Sequence, residues 1–264
     1  MKIDVAFAPG VMPAAPVTVV VDVIRATTTI AHAVGQGYRR VLACGTIDQA
    51  RELHARLGNG AVLAGEVACV KPDGFDLGNS PAEYADGPAL GETLVLATTN
   101  GTRAIVSAAP DADVVLIGSL SNLTACAAAA ARLARDGERD ILVQCAGVEG
   151  EFALDDAYTA GRFVAELRVW LAEWGTSDGA VAAEVLAAGV PSSAEALAAS
   201  TSAAKLREAG LAEDLRLCAR EGTVDVFDSG DDVDRALASA EPEVLGEPRL
   251  AQLGRARRGR ERLG

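Results

Sequence analysis

Histidine is nearly absent from this 264-residue chain. His32 and His54 are the whole complement, and both fall in helical patterns. That scarcity argues against a phosphohistidine enzyme or a multi-histidine metal centre and leaves carboxylates to bind any metal. Cysteine offers no framework either. Cys44, Cys69, Cys126, Cys145 and Cys218 are odd in number and never closer than 19 residues. A disulfide scaffold or a thiolate zinc site is therefore not expected, and most of the five read as small buried hydrophobes. No run approaches the roughly 18 apolar residues of a membrane span. The opening MKIDVAFAPG lacks the long apolar core of a signal peptide and reads as a strand, so a cytoplasmic protein is expected. Lysine is scarce beside arginine, and the net charge of −13 argues against nucleic acid as a partner. The exception is the tail from Arg249, RLAQLGRARRGRERLG, with six arginines, which reads as a solvated C-terminus.

What is abundant is apolar sequence, half of the chain. KIDVAF, VTVVVDV, RVLA, AVLA, TLVLA, DVVLI and DILVQCA read as strands. TTTIAHAVGQG, DQARELHARLG, GTRAIVSAA and SNLTACAAAAARLARDG, set between them, read as helices. Several strands are continuously apolar, as when both faces are covered. The alternation predicts an α/β fold with a doubly wound, mostly parallel sheet in three layers (α/β/α). Beyond Asp155 the pattern turns helical, from DDAYTAGRFVAELRVWLAEWG through short helices to Arg220, with one further strand, TVDVF. No linker divides the chain, so one domain over 1–248 is expected, followed by the basic tail 249–264. The acidic DSGDDVD does not match a calcium-loop spacing and reads as a solvated turn.

Ligands of parallel α/β sheets bind beyond the carboxyl ends of strands. Those junctions here are polar and marked by glycine: Asp22 and Arg25 after VVVDV, Gly65 and Glu66 after AVLA, TTNGTR after LVLA, GSLSN after VVLI, and CAGVEGEFALDD after ILVQ. The Asn100-Gly101 pair could close a β-hairpin. It is followed by a helix-compatible run, however, so a strand-to-helix turn is predicted, with φ > 0 at the pair shaping a nest of backbone N–H groups. Thr98, Thr99 and Thr102 would add hydroxyls and Arg103 a planar cationic fork. Gly118, Ser119 and Asn122 repeat the pattern, with a plain helix cap as the alternative. In NSPAE, Ser80, Pro81 and Glu83 spell a capping box. Asp22, Glu66, Asp76, Asp155 and Asp156 are the carboxylates near these junctions; Asp76 could instead satisfy loop amides, and Asp155 and Asp156 could be solvated or simply begin a helix.

VVVDVIRATTTIA, Gly65-Glu66, GFDLGNSPAEY, TTNGTRAI, GSLSN and CAGVEGEFALDD occur in the order seen in 2-phosphosulfolactate phosphatases, the ComB family, which this chain resembles over roughly residues 17 to 165. The resemblance implies a Mg²⁺-dependent α/β phosphatase that hydrolyses 2-phospho-3-sulfolactate to sulfolactate and phosphate, a step of coenzyme M biosynthesis. In the C-terminal third, Ser200, Leu206, Gly210, Asp214 and Cys218 are kept, whereas the family's Ser-x-His/Asn-Gly stretch is missing.

On this reading Asp22, Glu66 and Asp155 hold Mg²⁺, and Asp22, Arg25 and Arg103 are the catalytic set. Thr99, Asn100, Gly101 and Thr102 bind the small anionic phosphorylated substrate, with Ser119 and Asn122 as further contacts. Direct attack by water is favoured over an aspartyl-phosphate at Asp22, because Ile24 stands where a haloacid-dehalogenase-type site needs a second Asp. Two other functions stay open: a phosphatase of another small phosphorylated hydroxy acid, and a non-catalytic anion-binding protein on the same scaffold. Association into a homo-oligomer is also open.

Overall fold

The computed structural model describes residues 1–85, 88–225 and 252–253. Seven five-residue strands fall where apolar runs predict them: β1 (Lys2–Ala6), β2 (Val17–Val21), β3 (Arg40–Cys44), β4 (Ala61–Gly65), β5 (Thr93–Ala97), β6 (Val114–Gly118) and β7 (Ile141–Cys145). The helices between them are α1 (Ala26–Gln36), α2 (Ile47–Leu57), α3 (Gly101–Ala108) and α4 (Leu123–Gly137). A helical third follows: α5 (Leu154–Trp170), α6 (Asp178–Ala188), α7 (Ser193–Ala198), α8 (Thr201–Glu208) and α9 (Asp214–Cys218). A two-residue strand, β8 (Gly175–Thr176), interrupts this third beside β1. Thr223–Asp225 form no strand, and the rest of TVDVF, the DSGDDVD segment and the tail other than Gln252 and Leu253 lie outside the described residues.

The α/β class, the parallel pairing and the helix-rich C-terminal third are as expected, but the single three-layer sheet is corrected. The strands form two sheets, ordered β6-β2-β7-β1-β8 and β4-β5-β3, with Gln252–Leu253 antiparallel on β3. The crossover from β2 through α1 carries the chain to the second sheet, and the one from β5 through α3 brings it back. Alternate residues then separate cleanly. Val19, Val21, Leu116 and Val143 face α4 and α5 on the outside. Val20 and Ile117 from one sheet, and Val41, Ala43, Leu94 and Leu96 from the other, close on α1 and α3 between them. Leu42, Leu63 and Val95 pack on α2 beyond. The order is α/β/α/β/α. Helix α1 fits its central place because Ala26–Ala31 is buried around its full circumference, Thr27, Thr28 and Thr29 included. Those hydroxyls find backbone partners at Asp22, Val23 and Asn79, which removes the cost of burying them. Among the described residues no helix is long and apolar enough to cross a membrane.

Candidate active site at the shared edge of two sheets

Both crossovers keep their strands parallel, so the carboxyl ends of β2, β4, β5 and β7 open at one edge. Asp22 ends β2. Its main chain is held by Thr27, whose Oγ1 accepts from the Asp22 amide and donates to the Asp22 carbonyl. Its carboxylate accepts from the amides of Ala26 and Gly101. Burial raises its pKa to about 7, with Asp155 and Glu66 adding repulsion. Asp155, in the first turn of α5, is pushed up to about 6 by burial, against hydrogen bonds from Ser202 and Ser200. The Ser202 hydroxyl donates to its Oδ1 over 3.1 Å. Crowding of like-charged carboxylates at a buried edge disfavours their charged forms. Among the described residues no group of three or more His, Cys, Asp or Glu side chains is placed to hold a metal ion.

Asp156 is buried rather than solvated. Its two oxygens accept from the Val23 and Gly147 amides, at 2.9 Å each, and its pKa is driven well above the ordinary value by burial and then by Asp155 and Asp22. It ties the β2 and β7 loops together beneath the site. Asp76 stays exposed and caps the Leu63 amide from its loop.

The stretch TTNGTR is a strand-to-helix turn and no hairpin: β5 ends at Ala97 and α3 starts at Gly101. The expectation of φ > 0 at the pair is overturned, since Asn100 has φ −118° and Gly101 is not among the positive-φ glycines. Gly101 is required for close approach. A Cβ there would lie 2.4 Å from Asp22 Oδ2 and 2.5 Å from Ala26 Cβ. The turn does bind anions, but they are the protein's own carboxylates. The Thr99 amide donates to Glu66 Oε1 over 2.6 Å, and the Gly101 amide donates to Asp22. The Thr102 amide and hydroxyl are spent on Thr98. The amides of Thr99 and Gly101 therefore hold Glu66 and Asp22, and Thr102 holds the turn itself through Thr98.

Asn100 and Arg103 remain at the rim. Asn100 Oδ1 accepts from the Glu149 amide, and Arg103 is exposed with only its Nε directed to the Gly45 carbonyl. Ser119 and Asn122 form a cap: Asn122 Oδ1 accepts from the Ser119 amide and hydroxyl, its Nδ2 donates to the Ile117 carbonyl, and both residues are buried. The NSPAE capping box does not form. Ser80 bonds no helix amide and gives its hydroxyl to Asp214, while Glu83 reaches back to the Gly78 amide. The two histidines are structural. His54 meets the Ala61 carbonyl, and His32 faces Ser121 with its pKa lowered by burial and by Arg220.

Arg25, the residue before α1, is buried. It donates from Nη1 to Asp214 Oδ2 at 2.8 Å and from Nη2 to the Cys69 carbonyl at 2.9 Å. Cys69 lies in a tight turn, Val67–Val70, with Ala68 and Cys69 both at positive φ, and its amide binds Glu66 Oε2. The residues that sequence pattern left without a role here are Ser202, Lys205 (paired with Glu149) and Asp214, all from the helical third. Their signal was weak because they sit at no strand end. A groove of about 630 Å³ between α5, α6 and α7 lies elsewhere and spends its polar groups internally, Arg162 and Ser193 on Glu221 and Tyr158 on Ser193.

This geometry meets the comparisons with known proteins over nearly the whole described chain. Residues 8–229 match the family model described as 2-phosphosulpholactate phosphatase. A protein of Thermus thermophilus named probable 2-phosphosulfolactate phosphatase is 41% identical over 222 residues, covering 83% of this chain and 90% of its own. Proteins of the same name from Deinococcus radiodurans and Thermotoga maritima are each 36% identical over 220 residues; the match spans 82% and 83% of this chain and 90% and 91% of theirs. With the carboxylate edge, the TTNGTR turn and this coverage in agreement, the chain belongs to the 2-phosphosulfolactate phosphatase family.

Proposed function

We propose that this protein hydrolyses 2-phospho-3-sulfolactate to 3-sulfolactate and phosphate, and that it does so with Mg²⁺. The observation that carries the reading is the edge where Asp22, Glu66 and Asp155 crowd together, with Arg25 held on the same Cys69 turn that binds Glu66. Mg²⁺ binds through one or two carboxylates plus water and phosphate oxygens. Asp22 and Glu66 would hold it, with Asp155 alongside. When bound, the ion would supply charge neutralisation at the phosphoryl oxygens and polarisation of the attacking water.

The remaining work falls to the chain's own groups. Thr99 and Gly101 keep Glu66 and Asp22 fixed through their amides, so no reorganisation is needed as charge shifts. Arg25, held at two of its five donors, offers the rest of its fork to a phosphoryl group. Arg103 and Asn100, at the rim, would receive the outer anionic groups of a substrate with both carboxylate and sulfonate. The acidic surface as a whole repels such a substrate, so these cations must gather it locally. The test is phosphate release from 2-phosphosulfolactate and from 2-phospholactate, each with Mg²⁺ and with excess EDTA. Turnover of the sulfonated ester that depends on Mg²⁺ is expected. Full turnover in EDTA would refute the metal assignment, and preference for phospholactate would move the substrate to another phosphorylated hydroxy acid.

A further inference from the structure

The helical C-terminal third enters the site at one point that strand-end reasoning does not reach. Asp214, the first residue of α9, and Arg25, 189 residues earlier, form an ion pair whose side chains are 5% and 3% exposed. The second oxygen of Asp214 accepts the Ser80 hydroxyl at 2.6 Å, so both are occupied. The other side of the guanidinium rests on the Cys69 carbonyl, and the Cys69 amide in turn holds Glu66 Oε2 at 2.7 Å. Glu66 Oε1 takes the Thr99 amide of the TTNGTR turn. A continuous chain of hydrogen bonds therefore runs from α9 through Arg25 and the 67–70 turn to the ends of β4 and β5.

The surroundings make the pairing informative. Asp22 lies three residues before Arg25, and Asp22, Glu66 and Asp155 repel one another at the same edge. A flexible cationic side chain beside crowded carboxylates would neutralise them by direct contact. It pairs with a carboxylate from another element. Two anchors on separate nitrogens of a planar fork fix its orientation.

We propose that Asp214 is a positioning residue: it withholds Arg25 from the Asp22, Glu66 and Asp155 carboxylates and aims it at the phosphoryl group. The proposal rests on the phosphatase reading for the identity of the anion, and it makes α9 a necessary part of the site. The probe is inorganic phosphate, titrated calorimetrically into the full-length chain and its Asp214→Asn, Asp214→Glu and Arg25→Lys variants at a temperature where each is folded. The double variant Asp214→Asn/Arg25→Lys completes a cycle. Phosphate should bind about tenfold more weakly to Asp214→Asn, as when one well-aimed charge-assisted hydrogen bond is lost. Asp214→Glu should recover part of this, and the double variant should bind no more weakly than Arg25→Lys alone. Should Asp214→Asn not fold, Ser80→Ala removes only the hydroxyl that steadies Asp214 and should weaken phosphate about threefold. Wild-type affinity in folded Asp214→Asn, losses that simply add in the double variant, or no phosphate binding by the unmodified protein would each overturn the proposal. Turnover of 2-phosphosulfolactate by the same samples separates the two readings. Phosphate binding that depends on Asp214 without any turnover refutes the phosphatase and leaves Asp214 in its role.

Discussion

Replacing Gly101 by alanine isolates a single steric event. Gly101 is not at positive φ, so alanine meets no backbone strain there. In an open helix the exchange would add stability, about 1 kcal/mol. Here the new methyl would lie 2.4 Å from Asp22 Oδ2, 2.5 Å from Ala26 Cβ and 3.0 Å from Asp22 Cβ. The first two are distances that real Cβ atoms do not tolerate, and Ala26 is the fully buried first residue of α1, where it cannot yield freely. Overpacking of this kind costs about 1–3 kcal/mol, which cancels or reverses the helical gain. The relief route is a shift of Asp22 or of the start of α3, either of which breaks the Gly101 amide bond to the carboxylate. A displacement of ~1 Å at a reacting centre lowers kcat/KM by about 100-fold. Urea unfolding beside a phosphate-release assay reads both quantities. Gly60→Ala is the control, since its Cβ would meet nothing within 4 Å. A Gly101→Ala protein more stable than wild type, with unchanged kinetics, would refute the close-approach reasoning.

The carboxylate edge carries its own pH signature. Asp22 and Asp155 are raised to about 7 and about 6, so in the folded chain they bind protons more tightly than when unfolded. Their contribution is therefore most favourable at low pH and is lost as pH rises from about 4 through 7. Metal-free protein should show a falling urea midpoint across that range, and a flat or rising midpoint would contradict it. Asp22→Asn should flatten the fall and stabilise the metal-free protein at pH 8 by roughly 1–4 kcal/mol while abolishing turnover; survival of activity would remove Asp22 from the mechanism. Arg103→Ala should cost about 1.5–3 kcal/mol of transition-state binding, one to two decades in kcat/KM, with Arg103→Lys intermediate because it keeps charge but loses the fork. Wild-type kinetics in Arg103→Ala would show that the rim cation does not touch substrate.

Much of this protein was legible one segment at a time. Seven strands and five helices announced themselves because apolar periodicity and β-branched runs report local backbone state, and Asp22, Glu66 and TTNGTR stood out because strand ends are where such folds expose polar groups. Partnership between segments was a different matter. That α1 and α3 are sandwiched between two sheets depended on which strands pair. Five-residue apolar strands carry no mark of their neighbours, since every one has both faces covered. The TTNGTR amides looked ready for a ligand, but the β4 and β2 ends bring Glu66 and Asp22 against them first. Ser119 and Asn122 carried the same polar signature and close on each other. Asp156 on Val23 and Asp214 on Arg25 join residues 133 and 189 positions apart. Residue type and spacing therefore determined which groups could do the chemistry. Tertiary structure decided which of them are spent on one another, because a buried donor binds whichever acceptor the packing brings nearest.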